Sequence, residues 1–289
     1  MANSVSPLNS EMWSKKMSLL LKKALVGRAL CEVWQESGLR GIDLINRPYL
    51  NDLSVNTYTP GTAVTIQDIT STNEQLLINQ FKEVSFYVDE IEDVQSFYNF
   101  MDVQTDRAVY QLANTIDAAI FAQYANTVST DLTNANIPGG TAAAGAITGT
   151  TSNIQSVFTG LRQLMRSANV AMVGDTYIVL DPVEAELLER NFAASGFSTA
   201  DATLRNGFAG RAYGVEVYVS NNLTTSANVL HSIGGKKGGI SLAVQIEPDV
   251  SIRKVDNKRG VNVMALVDYG IKLFNQGAKE TFDIHFYRA

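Results

Sequence analysis

Cysteine occurs once in this sequence, as Cys31, and histidine twice, as His231 and His285. A single thiol excludes an intrachain disulfide framework and suits synthesis in a reducing compartment. Soft metal ligands are therefore nearly lacking, and neither a metal site nor a cofactor is expected. Long apolar runs are missing as well. No stretch approaches the ~20 residues that a membrane span requires, and the run 17–21, between Lys15-Lys16 and Lys22-Lys23, is too short for a signal peptide. A soluble, non-secreted chain without a membrane partner is expected. Charge is sparse at 18%, while hydrophobic residues make up 45% of the 289 positions, which excludes disorder throughout and allows one elaborate domain or two modest ones. The net charge of -6 is uneven: residues 1–40 carry six basic and three acidic side chains, leaving the remainder near -9. General polyanion binding is not expected of such a chain.

Motifs of catalysis are also lacking. There is no Gly-x-Ser-x-Gly elbow for a nucleophilic hydrolase. The segment Gly234-Gly235-Lys236-Lys237-Gly238-Gly239 lacks the Ser or Thr that must follow the lysine of a phosphate loop, and reads as a lysine-tipped hairpin turn. Gly207, Gly210 and Gly214 lack the Gly-x-Gly pair of a dinucleotide site. His231 and His285 lie in strand-like or turn-like settings and read as structural. Cys31 sits on an apolar stripe, where a thiol behaves as a small hydrophobe. No enzyme activity is expected.

What is present is a sequence of dissimilar segments. Residues 11–35 read as an amphipathic helix, with Trp13, Met17, Leu20, Ala24, Gly27, Cys31 and Trp34 at spacings of three and four. Docking on protein, lying on a membrane surface, and contacting a scaffold or nucleic acid remain open for it. From 46 to 88 the period changes to two: Val64 with Ile66, then Leu76, Ile78, Val84, Phe86 and Val88. Thr59-Pro60-Gly61-Thr62 supplies turn chemistry, and 69–74, with Thr70, Ser71, Thr72 and Asn73, reads as the tip of a long hairpin. A two-stranded hairpin is marginal alone in water, so it needs another surface, which a second copy can provide.

Asp89, Glu90, Glu92 and Asp93 follow. Acids here favour the positive end of a helix, and Asp89 with Glu92 has capping-box spacing; a cation site and pairing with a basic patch on a neighbour are the alternatives. The helix they introduce runs over 94–124, ~46 Å at ~1.5 Å per residue. A compact chain of this length has a radius of gyration of ~19 Å, so the helix spans the molecule as a spine. Residues 137–151 are a small-residue linker. Ser152 and Gln155 form a capping box for a helix whose Ile154, Val157, Leu161, Leu164 and Ala168 share a face. A buried strand at 176–180, a helix from Asp181-Pro182 to 189, a glycine-rich loop over 192–213, and strands at 215–220, 240–246, 261–266 and 281–286 complete the chain.

Three phrases in this order resemble one family. They are Asp106-Arg107 through Leu112-Ala113-Asn114-Thr115-Ile116-Asp117 on the spine, Tyr177-Ile178-Val179-Leu180-Asp181-Pro182 with Leu187-Leu188 behind it, and Gly210-Arg211-Ala212-Tyr213-Gly214 through Val219-Ser220-Asn221-Asn222-Leu223. Over nearly the whole chain they resemble the major capsid proteins of tailed bacteriophages, which have the Johnson, or Hong Kong ninety-seven type, α+β fold. The resemblance implies an N-arm over 1–45, an E-loop over 46–88, a P-domain with the spine over 89–137, an A-domain over 138–247, and return strands of the P-domain over 248–289. It implies a structural protein of the virion that self-assembles as pentamers and hexamers into an icosahedral head. Its implied partners are scaffolding and portal proteins and double-stranded DNA packaged without sequence specificity, with assembly in the host bacterial cytoplasm. The intersubunit contacts expected are Trp13, Met17 and Leu20 in the arm, Thr70, Ser71, Thr72 and Asn73 at the hairpin tip, and Glu90 and Glu92. The alternatives are an encapsulin-type shell around a cellular cargo enzyme, and an oligomeric enzyme with an unrecognised site.

Overall fold

The computed structural model describes residues 23, 25–34, 39, 41–95, 100–137, 145–170, 175–194, 210–256 and 258–288. In chain order the strands are β1 (Glu32–Trp34), β2 (Leu44–Leu50), β3 (Ser71–Leu77), β4 (Gln80–Asp89), β5 (Thr176–Leu180), β6 (Arg211–Ala212), β7 (Val215–Val219), β8 (Thr224–Ser226), β9 (Val229–Lys236), β10 (Ile240–Lys254), β11 (Gly260–Leu273) and β12 (Thr281–Tyr287). The helices are α1 (Glu90–Gln95), α2 (Phe100–Phe121), α3 (Ile154–Ser167), α4 (Pro182–Ala194) and α5 (Asn275–Glu280).

These elements build two sheets and an appended ribbon. One sheet has the order β1-β10-β11-β4; the other runs β12-β9-β5-β7-β6 with β8 paired to β9; β2 and β3 form the ribbon. The spine α2 lies on the first sheet. Its Ala108, Leu112, Ile116 and Ile120, four residues apart, are buried against Leu242, Val244, Ala265, Val267 and Tyr269, because residues four apart share a helix face. On β4 the alternation read from the sequence holds: Val84 and Phe86 pack on this core while Phe81 and Tyr87 are exposed. The second sheet is covered by α3 and α4, with Phe158, Leu161, Met165 and Leu188 packed on Ile178, Leu180, Phe282 and Ile284.

The chain passes between the sheets at two neighbouring places. The β9–β10 turn makes one crossing, with Gly238 at φ 82° and a Gly239 N–H to Lys236 carbonyl bond of 3.3 Å; α5 makes the other, between β11 and β12. The crossings touch backbone to backbone, since a Cβ on Gly277 would lie 1.9 Å from the Gly239 carbonyl oxygen. The lysine-tipped turn is thus present, and Lys237 pairs with Glu216 at 2.6 Å.

Several sequence expectations give way to longer-range contacts. The described part of 11–35 is not α-helical: Gly27–Leu30 is a 3-10 turn and Glu32–Trp34 pairs in parallel with Ser241–Ala243. Gly27 approaches Asp117 and Ile120 so closely that its Cβ would be 2.8 Å from the carboxylate, and β10 offers its edge to the next residues. The spine begins four residues early as α1 and ends in a 3-10 turn over Ala122–Asn126, with 96–99 outside the described residues. Residues within the expected linker 137–151 belong to the core: Ile137 and Ile147 are buried, and Ile147 bridges to Phe286. The Ser152–Gln155 box does not form. Instead Asn153 precedes α3, its Oδ1 accepting from Thr150 N–H at 2.8 Å. The buried face of α3 carries Phe158 and Met165, with Leu164 half-buried and Ala168 exposed. β10 and β11 run far beyond the expected strands, with register breaks between Val244 and Asp249 that accommodate Pro248.

Candidate functional site

The ribbon carries a long row of uncovered apolar side chains. Its base is docked: Ile45, Leu76 and Ile78 are buried with Leu39, Ala243 and Phe274. Polar contacts hold the same end, since Glu74 accepts from the Asn275 N–H at 2.9 Å and Arg47 pairs with Glu32 at 3.2 Å while stacking over Phe274. Beyond Asn46 every residue to Ile66 is exposed. The arms of this distal part remain tied together, Asn51 N–H to the Thr70 carbonyl at 3.2 Å and Gln67 to Ser54 at 2.6 Å, and the reversal lies at Thr59–Thr62 with Gly61 at φ 89°. On this extension Leu50, Leu53, Tyr58, Val64, Ile66 and Ile69 face solvent, Val64 at 74% and Ile66 at 89% exposure. Large apolar side chains grouped this way mark an interaction surface, because a monomer gains nothing from holding them in water.

The expected tip is therefore misplaced. Ser71, Thr72 and Asn73 form the start of β3, opposite Leu50, Tyr49 and Pro48, and Thr70 lies just before it. The turn chemistry at Thr59-Pro60-Gly61-Thr62 was the signal that located the reversal, and it outweighs the polar run at 69–74 because Pro and Gly set the backbone geometry that a reversal needs. Glu90 and Glu92 are exposed on α1, where Asp89 Oδ1 accepts the Ile91 N–H at 2.9 Å and so caps the helix without Glu92. β4, ten residues long or ~33 Å at ~3.3 Å each, separates α1 from β3, so these two groups do not come together. Trp13, Met17 and Leu20 lie outside the described residues.

Where the amino-terminal segment enters the described structure, it is clipped to the spine. The Lys23 N–H donates to the Tyr110 hydroxyl at 2.5 Å, and the Gly27 N–H donates to Asp117 Oδ1 at 2.6 Å. Asp117 Oδ2 accepts from Asn222 Nδ2 at 2.8 Å, and Lys23 Nζ reaches Asn222 Oδ1 at 2.9 Å, so one buried carboxylate joins arm, spine and second sheet. Burial pushes the Asp117 carboxyl above its ordinary range, and the bonds from Asn222 and Gly27 oppose that shift. Burial also pushes the Cys31 thiol up to about 12, with the Asp117 charge adding to it, which leaves no reactive thiolate. Replacing Asp117 by Ala strands two donors and should cost about 2 kcal/mol. Trypsin should then cut after Arg28 faster than in the parent protein, and an unchanged digestion rate would count against the clip.

A family profile described as phage capsid protein matches residues 82–278. The chain belongs to the phage capsid protein family. No curated protein sequence matches it significantly. Solved structures share its fold: one from Mycobacterium phage Che8 at 20% identity and TM-score 0.79, with 96% of each chain covered; the capsid of cyanophage P-SCSP1u at 16% and 0.71, covering 100% of this chain and 96% of that one; and the capsid of Myoviridae phage XM1 at 12% and 0.69, covering 99% of each. The fold is the Hong Kong ninety-seven type. A capsid protein of this kind forms the head shell of the virion by associating with its own copies. In that setting the exposed ribbon, the clipped arm and the spine are the parts of a shell-building subunit.

Proposed function

We propose that this capsid protein closes into an icosahedral head as pentamers and hexamers, with the distal E-loop ribbon of each copy lying on the body of its neighbour. The observation that carries this reading is the row Leu53, Tyr58, Val64, Ile66 and Ile69, exposed among the described residues on an extension whose buried apolar contacts are confined to its base. Head-to-tail contacts whose rotation closes generate rings, and a slender ribbon on a two-sheet body adapts to five- and six-fold rings by bending at its base.

The finer assignments follow the same proposal. The division is an arm over 1–45, ribbon over 46–88, spine over 89–137, axial part over 138–247 and return strands over 248–289, with the qualification that β4 pairs in the first sheet and β12 in the second. Trp13, Met17 and Leu20 are assigned to contacts made by the arm, Thr70 to Asn73 to the flank of the ribbon, and Glu90 and Glu92 to a basic patch on a neighbour. Scaffolding and portal proteins, and double-stranded DNA held without sequence reading, are the proposed partners, with assembly in the bacterial cytoplasm. A structural role without catalysis agrees with family membership. Electron microscopy of concentrated recombinant protein should show closed spherical shells. Discrete dimers or tetramers, or tubes, would overturn the reading, and a cargo enzyme inside native particles would favour the encapsulin alternative.

A further inference from the structure

Away from the ribbon, chemistry-bearing side chains converge on the second sheet. His231 on β9 lies directly opposite His285 on β12, and Asp283, two residues before His285, projects from the same face because strand side chains alternate. Asp283 Oδ2 is 2.7 Å from His231 Nδ1 and 2.9 Å from His285 Nε2. The three ligand atoms fall within 4.8 Å of one another, and among the described residues no other such group of His, Cys, Asp or Glu comes together. Asp131 lies outside this group but brings an oxygen to 3.7 Å from His285 Nε2, near enough to complete it by a turn of its half-exposed side chain.

We propose that His231, Asp283 and His285, completed by Asp131, bind a divalent transition-metal ion of the zinc type through two imidazole nitrogens and two carboxylate oxygens. The donor set suits that class: imidazole favours zinc and its neighbours over the hard, oxygen-seeking calcium and magnesium. Spacing agrees, since tetrahedral zinc with bonds of ~2.0–2.2 Å keeps adjacent donors about 3.3 Å apart, and the gaps of 2.7, 2.9 and 3.7 Å bracket that value. Two carboxylates with two neutral imidazoles offer the charge that a dication balances.

An independent observation points the same way. Asp283 Oδ1 is buried without a hydrogen-bond partner, on a side chain only 5% exposed. Buried carboxylate oxygens are rarely left so, and a cation seated on Asp283 Oδ2 would offset the charge that this burial leaves uncompensated. The backbone around the donors is fixed on both sides of β12. Leu132 N–H donates to the Asp283 carbonyl at 2.8 Å, His285 N–H to Leu132 at 3.0 Å and Ile147 N–H to the His285 carbonyl at 2.7 Å. Tyr124 stacks on the His231 ring with centroids 3.9 Å apart and holds its plane. Asp131, half-exposed, leaves the ion a way in. In the hydrogen-bonded arrangement each imidazole nitrogen donates to Asp283; the ion takes the lone pairs of those nitrogens once their protons move to the other ring nitrogens.

The test uses the full-length protein, stripped with a chelator and dialysed against micromolar zinc chloride, with bound metal counted by mass spectrometry. The parent protein should retain one zinc per chain, and Cys31→Ser should do the same. Asp131→Asn, which alters a half-exposed side chain and should fold normally, should weaken binding roughly ten-fold. The double variant His231→Gln/His285→Gln should retain none, and cobalt(II) should give visible absorption bands in the parent that the double variant lacks. A parent protein that holds no zinc and shows no cobalt bands has a hydrogen-bonded cluster only, which overturns the proposal, as does zinc that disappears in Cys31→Ser.

Discussion

Replacing Val64 and Ile66 together by aspartate should abolish shell formation while the isolated subunit melts as before. Both side chains are exposed, at 74% and 89%, and exposed substitutions away from special backbone usually change stability by no more than about 0.5 kcal/mol. If a neighbour covers them, each contributes roughly 2 kcal/mol of burial, so losing both removes about 4 kcal/mol from a contact. That amounts to nearly a thousand-fold in association, before the cost of bringing two carboxylates into an apolar interface, and every copy in the shell suffers it. Light scattering and electron microscopy read the assembly, and thermal melting of the unassembled subunit reads the fold. Val64→Ala with Ile66→Leu should assemble at reduced yield. Shells formed normally by the aspartate pair would show that the ribbon is not an interface.

Gly277→Ala should have the opposite signature, damage to the subunit itself. An added Cβ would sit 1.9 Å from the Gly239 carbonyl oxygen and 2.8 Å from its carbon, and both are backbone, so no side chain can turn aside to make room. Separating α5 from the β9–β10 turn also disturbs the packing of Ala278 and Leu273 on the first sheet. Overpacking of this kind typically costs 1–3 kcal/mol, and with main chain on both sides about 3 kcal/mol is expected in a denaturant titration of the subunit. Gly238→Ala, in the same turn with open space around it but φ at 82°, should cost about 1 kcal/mol. Equal losses in the two variants would mean that backbone strain, not the close approach of the crossings, decides.

The parts of the fold that could be read from the chain are those that local pattern decides. Thr176–Leu180, apolar from Tyr177 onward, is buried throughout; Val84, Phe86 and Val88 alternate; and the spine is helical over most of its expected length. What local pattern misjudged are places where a distant partner wins. Gly27, Cys31 and Trp34 fit a helical stripe, yet Asp117 and the edge of β10 draw them into a turn and a strand. Strand β9 was hidden because Gly234 and Gly235 read as part of the lysine-tipped turn, although a Cβ at Gly235 would meet the Glu280 carbonyl at 2.4 Å and only glycine fits. Pro248 masked the second half of β10, because a proline normally ends a central strand and here sits between register breaks. The ribbon was legible as a ribbon needing support, but its reversal was placed seven residues or more too late. The His231, Asp283 and His285 cluster was not legible locally, since His231 lies 52 residues from Asp283 and meets it only through the β9–β12 register.

The clip at Asp117 has a mechanical consequence. Tension applied to the chain ahead of Lys23 is delivered to Tyr110 in the middle of α2 and, through Gly27 and Asp117, to Asn222 at the start of the segment leading into β8. The load path therefore bypasses the thin β2–β3 extension and enters the spine helix and the second sheet at once. A tug on one end of the polypeptide is shared between helix and sheet and does not peel a single strand.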